Sequence, residues 1–151
     1  MGISVRRAEI KDADIIASNV LAMAIEGSGT ELDTDTVHAG VRALFGKPDL
    51  GFYVVAEVDN EVAGSLVIVY EWSDWRNGAH WWIHSVYVRP EFRRQGVYSH
   101  MHTWVKEQVC SRDDAVSLRL SVNKHNDVAR KTYENLGMIE SLQVQYNQPD
   151  V

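Results

Sequence analysis

At 151 residues, with 45% hydrophobic side chains and five tryptophans, the chain has the size and composition of one packed globule rather than a disordered segment. Its net charge of −6 argues against broad nucleic-acid binding, and no apolar run approaches the roughly 18 residues that span a bilayer. A single cysteine, Cys110, excludes an internal disulfide, and the N-terminus has no signal-peptide core, so a soluble cytoplasmic protein is expected.

Ile3 to Ala8 alternates Ile3 and Val5 with polar residues and predicts a first strand. Ile10 to Asp12 turns the chain. Asp12 or Asp14 then caps a helix that carries Ile16, Val20, Met23 and Ala24 and ends near Ile25. Glu26 to Thr30, with two glycines, reads as a loop. A second helix starts at Asp33 or Thr34, aligns Val37, Val41, Leu44 and Phe45, and stops at Gly46 and Pro48. Phe52 to Val58 and Val62 to Tyr70 are strands joined by the turn pair Asp59-Asn60, an expected antiparallel hairpin. Glu71 to Gly78 reads as a loop. Trp81 to Val88 is the central strand, ended by Pro90, which has no N–H for a sheet. From Gly96 the spacing turns helical through Val97, Met101, Trp104, Val105 and Val109. Ser117 to Val122 is a further strand, Asn126 caps a helix ended by Gly137, and Val144 with Tyr146 predicts a closing strand. The pattern is that of one α/β unit spanning the chain.

The central strand, the turn Arg93-Arg94-Gln95-Gly96 and the following helix form the chemically pointed stretch. A strand that hands over to a helix through a basic, glycine-containing turn presents unpaired N–H groups and a positive helix end at one spot, which suits phosphate. The same turn also reads as an ordinary solvated turn. Asn126 reads as a helix cap and Tyr133 as a core side chain when each is taken alone. His100 and His102 are two apart on a helix and point away from each other, so no metal site is expected.

Arg93-x-x-Gly96, preceded by Val86-Tyr87-Val88, resembles the acetyl-CoA signature of the GNAT (GCN5-related) N-acetyltransferases. Asn126-x-x-Ala129-x-x-x-Tyr133-x-x-Leu136-Gly137-Met138 is similar to the C-terminal half of the same pattern, and the two occur in the family's order. The departure is Tyr98, where the family has Gly or Ala. Ile83 to Val88 and Trp75 to Gly78 most resemble the diamine (spermidine/spermine) branch. The resemblance implies a mixed, mostly antiparallel sheet flanked by about four helices, acetyl-CoA as cosubstrate, and acetyl transfer to a primary amine by direct attack in a ternary complex. It implies cofactor contacts from the backbone of Val86, Tyr87 and Val88 and from Asn126. It also implies a pyrophosphate cradle from Arg94, Gln95, Gly96, Val97, Tyr98 and Ser99, with charge added by the side chains of Arg93 and Arg94. Tyr133 is implied as general acid to the departing thiolate, and a homodimer as the assembly. A CoA-binding regulatory module and an enzyme acting on a protein amine are the alternatives.

The acceptor amine, protonated at neutral pH, needs a base. His84 stands where the diamine branch usually has glutamate, and an imidazole is suited to the task; the alternative is a hydrogen-bonded core histidine. Glu71 and Asp74 are rival bases or ammonium anchors, and Trp72 and Trp75 are candidates to hold a cation by their ring faces. Trp81 and Trp82 read as packing residues.

Overall fold

The computed structural model describes residues 2–150. Residues up to Ser121 form one compact unit and residues from Val122 a second. The first contains β1 (Ile3–Arg7), α1 (Ala13–Ser28), α2 (Thr34–Phe45), β2 (Gly51–Val58), β3 (Glu61–Ser73), β4 (Gly78–Val88), α3 (Val97–Cys110) and β5 (Ala115–Leu120). The strands form one sheet in the order β1-β2-β3-β4-β5. The first three pairings are antiparallel and β4–β5 is parallel, so the sheet is mixed and mostly antiparallel. The parallel step is possible because α3 supplies the crossover.

Strand alternation divides the core in two. Val54, Ala56, Leu66, Ile68, Trp81 and Ile83 point to one face and pack with Val97, Met101 and Val105 of α3. Val55, on the opposite face of β2, packs with Ala13, Ile16 and Ala17 of α1 and Val41 of α2. On that second face Asn19 of α1 donates to Ser65 Oγ at 2.9 Å, a buried polar pair that fixes α1 over β3. The helices therefore sandwich the sheet through its apolar alternation.

The first unit departs from expectation at element ends. α1 continues three residues past Ile25, because its stop is Gly29 (φ 67°), whose N–H closes on the carbonyls of Ala24 and Ile25. Asp12 does not cap α1 with its side chain; its buried carboxylate takes Arg6 in two hydrogen bonds, at 2.8 and 3.0 Å, and the Glu9 N–H at 2.7 Å. The expected loop Glu71 to Gly78 shrinks to a turn over 74–77, since Glu71, Trp72 and Ser73 pair with His80, Ala79 and Gly78. Gly78 is required there: a Cβ would lie 2.5 Å from Val116 Cγ1 and 2.8 Å from the Asp114 carbonyl oxygen. β5 starts at Ala115, and Val122 falls outside it. Asp59 (φ 51°) and Asn60 (φ 64°) form the hairpin turn expected of them.

In the second unit α4 (Asp127–Asn135) begins at Asn126, whose Oδ1 accepts the Ala129 N–H at 3.1 Å. After Leu136 the chain turns through Gly137 (φ 92°), and the Met138 N–H closes on the Tyr133 carbonyl at 3.0 Å. The closing strand expected at Val144 and Tyr146 is not formed: among the described residues no strand follows β5, and both side chains are exposed. A period of two is only half of a strand; the other half is an edge to pair with.

Candidate active site

The β3–β4 register slips at one place. Val67 pairs with His84 and Ser65 with Tyr87, so Leu66 stands opposite two residues, Ser85 and Val86. Ser85 takes the left-handed conformation, φ 52°. This β-bulge changes the alternation, so His84 and Tyr87, three apart, both point to the α1 face of the sheet. Pairing of β4 with β5 ends at Ile83–Leu120. The β5-facing edge of β4 over 85–88 is consequently outside the ladder, including the backbone of Val86, Tyr87 and Val88.

β4 leads into one 3₁₀ turn, Pro90–Phe92, and then into two further left-handed residues, Arg94 (φ 63°) and Gly96 (φ 82°). Gly96 is the N-cap of α3. A Cβ there meets nothing closer than the His100 ring at 3.7 Å, so backbone conformation rather than space calls for glycine. With no capping side chain, the first-turn amides of Val97, Tyr98 and Ser99 lack a helical acceptor and carry the positive end of the helix dipole. Arg94 is exposed and, among the described residues, has no ion-pair partner. Gln95 folds back onto the Glu91 carbonyl.

Arg93 behaves differently from the expectation for its side chain. Its Nε donates to the Val88 carbonyl at 2.8 Å, its Nη2 pairs with Glu26 Oε1 at 2.9 Å, and its guanidinium lies 5.3 Å from the Tyr87 ring centre. The Tyr87 hydroxyl donates to the other Glu26 oxygen. Hydrogen bonds from Tyr87 first and Arg93 second hold the Glu26 carboxyl below its ordinary range. Burial first, then Glu26, pushes the Tyr87 phenol up. Glu26 thus ties the end of α1 to β4 and to the basic turn. Tyr98 directs its hydroxyl one helical turn along α3, 3.1 Å from His102 Nδ1, and its ring packs against the α3-side core.

On the α1 face, β4 also presents Trp82 and His84 beside Glu71 of β3 and Arg119 of β5. The exposed His84 ring stacks on Trp82, with centroids 6.0 Å apart and planes at 8°. Trp82 Nε1 donates to Glu71 Oε1 at 3.0 Å. Arg119 Nη1 is 3.6 Å from that oxygen, and its guanidinium is 6.0 Å from the indole centre. His80, one step along, has Nδ1 2.5 Å from Ser117 Oγ; burial and then the charge of Arg119 lower its pKa.

In the second unit, Asn126 is the α4 cap already described and Tyr133 is a half-buried side chain of α4 whose phenol burial pushes upward. In the first unit Glu71 and His84 meet at Trp82, and the free edge over 86–88 runs on into the turn from Arg93 to Ser99. The unit does not bring Trp72, Asp74 or Trp75 to His84. Trp72 shares the opposite face with Ile68 and Tyr70, while Asp74 and Trp75 lie in the turn, about 20 Å along β4 at the usual strand rise. Trp75 is 95% exposed. Glu26, Trp82 and Arg119 were not singled out as site residues by their sequence context. Trp82 and Arg119 become neighbours only through the β4–β5 register.

The geometry suits a ligand with an amide-bearing chain and a pyrophosphate. A strip of unladdered backbone polar groups runs into a helix start that has no side-chain cap, beside Arg94, which has no ion-pair partner among the described residues. That arrangement, on a mixed sheet with a bulged central strand, suits a CoA thioester as ligand. The sequence pattern of the Acetyltransferase (GNAT) family matches residues 21–138. The chain is 38% identical to a possible acetyltransferase from Clostridium difficile 630, covering 99% of this chain and 98% of that one with a TM-score of 0.93. It shares its fold with a predicted acetyltransferase from Clostridium acetobutylicum, solved with acetyl-CoA (19% identity, 97% and 96% coverage, TM-score 0.75). It also shares it with the ribosomal-protein-alanine N-acetyltransferase from Brucella melitensis (15%, 97% and 98%, TM-score 0.77). No curated protein sequence matches it. The chain belongs to the GNAT family and is an N-acetyltransferase. Among the described residues no group of His, Cys, Asp and Glu side chains is arranged to hold a metal ion.

Proposed function

We propose that the protein acetylates a small primary amine, of the polyamine or amino-acid-like kind, with His84 as the base. The observation that carries this reading is the bulge at Ser85–Val86. It follows directly on His84, which alternation with Trp82 already sets on the α1 face, and beyond it the β5-facing edge of Val86 to Val88 is unpaired, so a base and a row of polarising groups lie close along one strand. Bound acetyl-CoA supplies an acetyl group activated as a thioester. An amine resembling a lysine side chain, with a pKa of about 10.4, is protonated at neutral pH; His84 takes that proton and leaves the nitrogen lone pair free to attack. Backbone N–H groups on the free edge stabilise charge that develops on the acetyl oxygen. The C–N bond forms as the C–S bond breaks. To Tyr133 we assign the donation of a proton to the departing sulfur, from the motif it stands in. A phenol that burial keeps protonated is always loaded for that donation, although it is a weaker acid than a free one.

The test follows free thiol released from acetyl-CoA across a panel of primary amines. Turnover above background with at least one amine is expected, and none with any amine would leave a cofactor-binding module instead. His84→Gln is expected to lower kcat/KM by about 10²-fold or more, the usual range for a positioned general base. Tyr133→Phe is expected to lower kcat by about 10²-fold while moving the acetyl-CoA KM little; unchanged turnover in either variant removes that residue from the mechanism.

A further inference from the structure

We infer that the acceptor amine carries a carboxylate and that Arg119 selects it. The inference rests on the reading of His84 as the acceptor-side base and sharpens it. His84 and Arg119 flank one indole: the imidazole stacks on Trp82 and the guanidinium approaches it, each 6.0 Å from the ring centre. Glu71 is committed to Trp82 Nε1 at 3.0 Å, whereas its 3.6 Å approach to Arg119 is too long for a hydrogen bond. Among the described residues the Arg119 side chain donates no hydrogen bond, although it is only 39% exposed. A guanidinium presents five N–H donors in a planar fork that matches a carboxylate. Held near an indole and partly withdrawn from water, with its fork unfilled, it is a carboxylate receptor.

The charge on this face points the same way. Glu71 and Arg119 offset each other. Asp74 and Arg76 both lie in the turn away from His84. A diamine would bring its second ammonium up to the like charge of Arg119 and would have to share the Glu71 carboxylate with Arg119 and Trp82. An amine with a carboxylate a few methylenes away instead places its nitrogen at His84, its aliphatic chain on Trp82 and its carboxylate in the Arg119 fork. Arg119 is a specificity residue in this account, since it touches the end of the acceptor remote from the transferred acetyl group.

The experiment uses the full chain with acetyl-CoA and three matched series: 3-aminopropanoate, 4-aminobutanoate and 5-aminopentanoate; the diamines of equal length; and the simple alkylamines. Acceptor binding is measured by calorimetry alongside thiol release. The wild type is expected to favour the carboxylates over the equal-length diamines by tenfold or more in kcat/KM. Arg119→Gln is expected to collapse that ratio by at least tenfold, chiefly through KM, and Arg119→Lys to restore part of it, since charge survives but the fork does not. Diamines preferred by the wild type, or a ratio unmoved in Arg119→Gln, overturns the inference while leaving acetyl transfer standing. Arg119-dependent binding of a carboxylate without turnover of any amine does the reverse: it supports this site and removes the catalytic reading.

Discussion

Glu26 is the residue whose position says most about how the site is held. It was expected in a loop, yet it rides on the last turn of α1 and joins Tyr87 of the bulged strand to Arg93 of the basic turn. The Arg93 charge, which the resemblance implied for the phosphate cradle, is already paired with Glu26, so in the proposed reading the backbone amides and Arg94 meet the phosphates. Glu26→Gln keeps the size of the side chain but replaces one acceptor with an amide donor, facing either a hydroxyl or a guanidinium that itself donates. The turn then loses one of its two anchors. The expected result is an acetyl-CoA KM raised by about three- to tenfold with kcat little changed, in line with a partly exposed charged hydrogen bond. A lowered kcat with an unchanged KM would place Glu26 on the acceptor side instead. Because the Glu26 carboxyl titrates below its ordinary range, this KM is also expected to stay flat from pH 6 to 8 as far as Glu26 is concerned.

Among the elements, β4 carries the proposed site, and its main feature is the least legible in sequence. Apolar alternation and turn residues located β1, β2, the Asp59-Asn60 hairpin, α2, α3 and α4, because each of those signals is local: a cap, a stop or a period. The bulge is not local. Ser85 carries no mark of φ 52°, and only the register slip of β4 opposite Leu66 on one side and the end of its pairing at Leu120 on the other show where the ladder breaks. The Val144–Tyr146 pattern fails for the complementary reason: its alternation is real, but a strand needs an edge that the pattern does not name. The basic turn into α3 was legible because Gly96 and the arginines announce it, whereas the pairing of Arg93 with Glu26 depends on where α1 ends. Ser85 offers a direct test of the bulge. A β-branched side chain is poorly tolerated at positive φ, so Ser85→Val is expected to cost about 1–2 kcal/mol and to raise the acetyl-CoA KM. Ser85→Gly, which removes the conformational cost, is expected to fall within about 1 kcal/mol of the wild type and keep its KM. Denaturant midpoints read at constant m-value check the first quantity; equal stability of the two variants would mean that the left-handed conformation is not held in solution.

For the whole molecule, the buried polar groups set how stability responds to acid, and their signs agree. His102, on α3 beneath Tyr98, and His80, against Ser117, are both buried and both have pKa values pushed below the ordinary 6.5, chiefly by burial. Above pH 6.5 folded and unfolded chains alike hold these rings neutral, and stability does not change on their account. Below it the unfolded chain takes up protons that the folded chain still refuses, so stability falls by about 1.4 kcal/mol per pH unit for each ring in that window. A later loss belongs to Asp12. Burial alone would raise its carboxyl, but hydrogen bonds from Arg6 and from the Glu9 N–H outweigh it and hold the group low. The stability it contributes is therefore present above the ordinary carboxylate range and disappears as pH falls through the lowered value. Unfolding followed from pH 8 to pH 5 is expected to show a flat stretch and then a decline beginning near pH 6.5. His102→Leu, which fills the same buried site without a titrating group, is expected to remove about half of the slope below pH 6.5, whatever it does to stability at pH 8. A slope unchanged in that variant would show that His102 is charged in the folded protein.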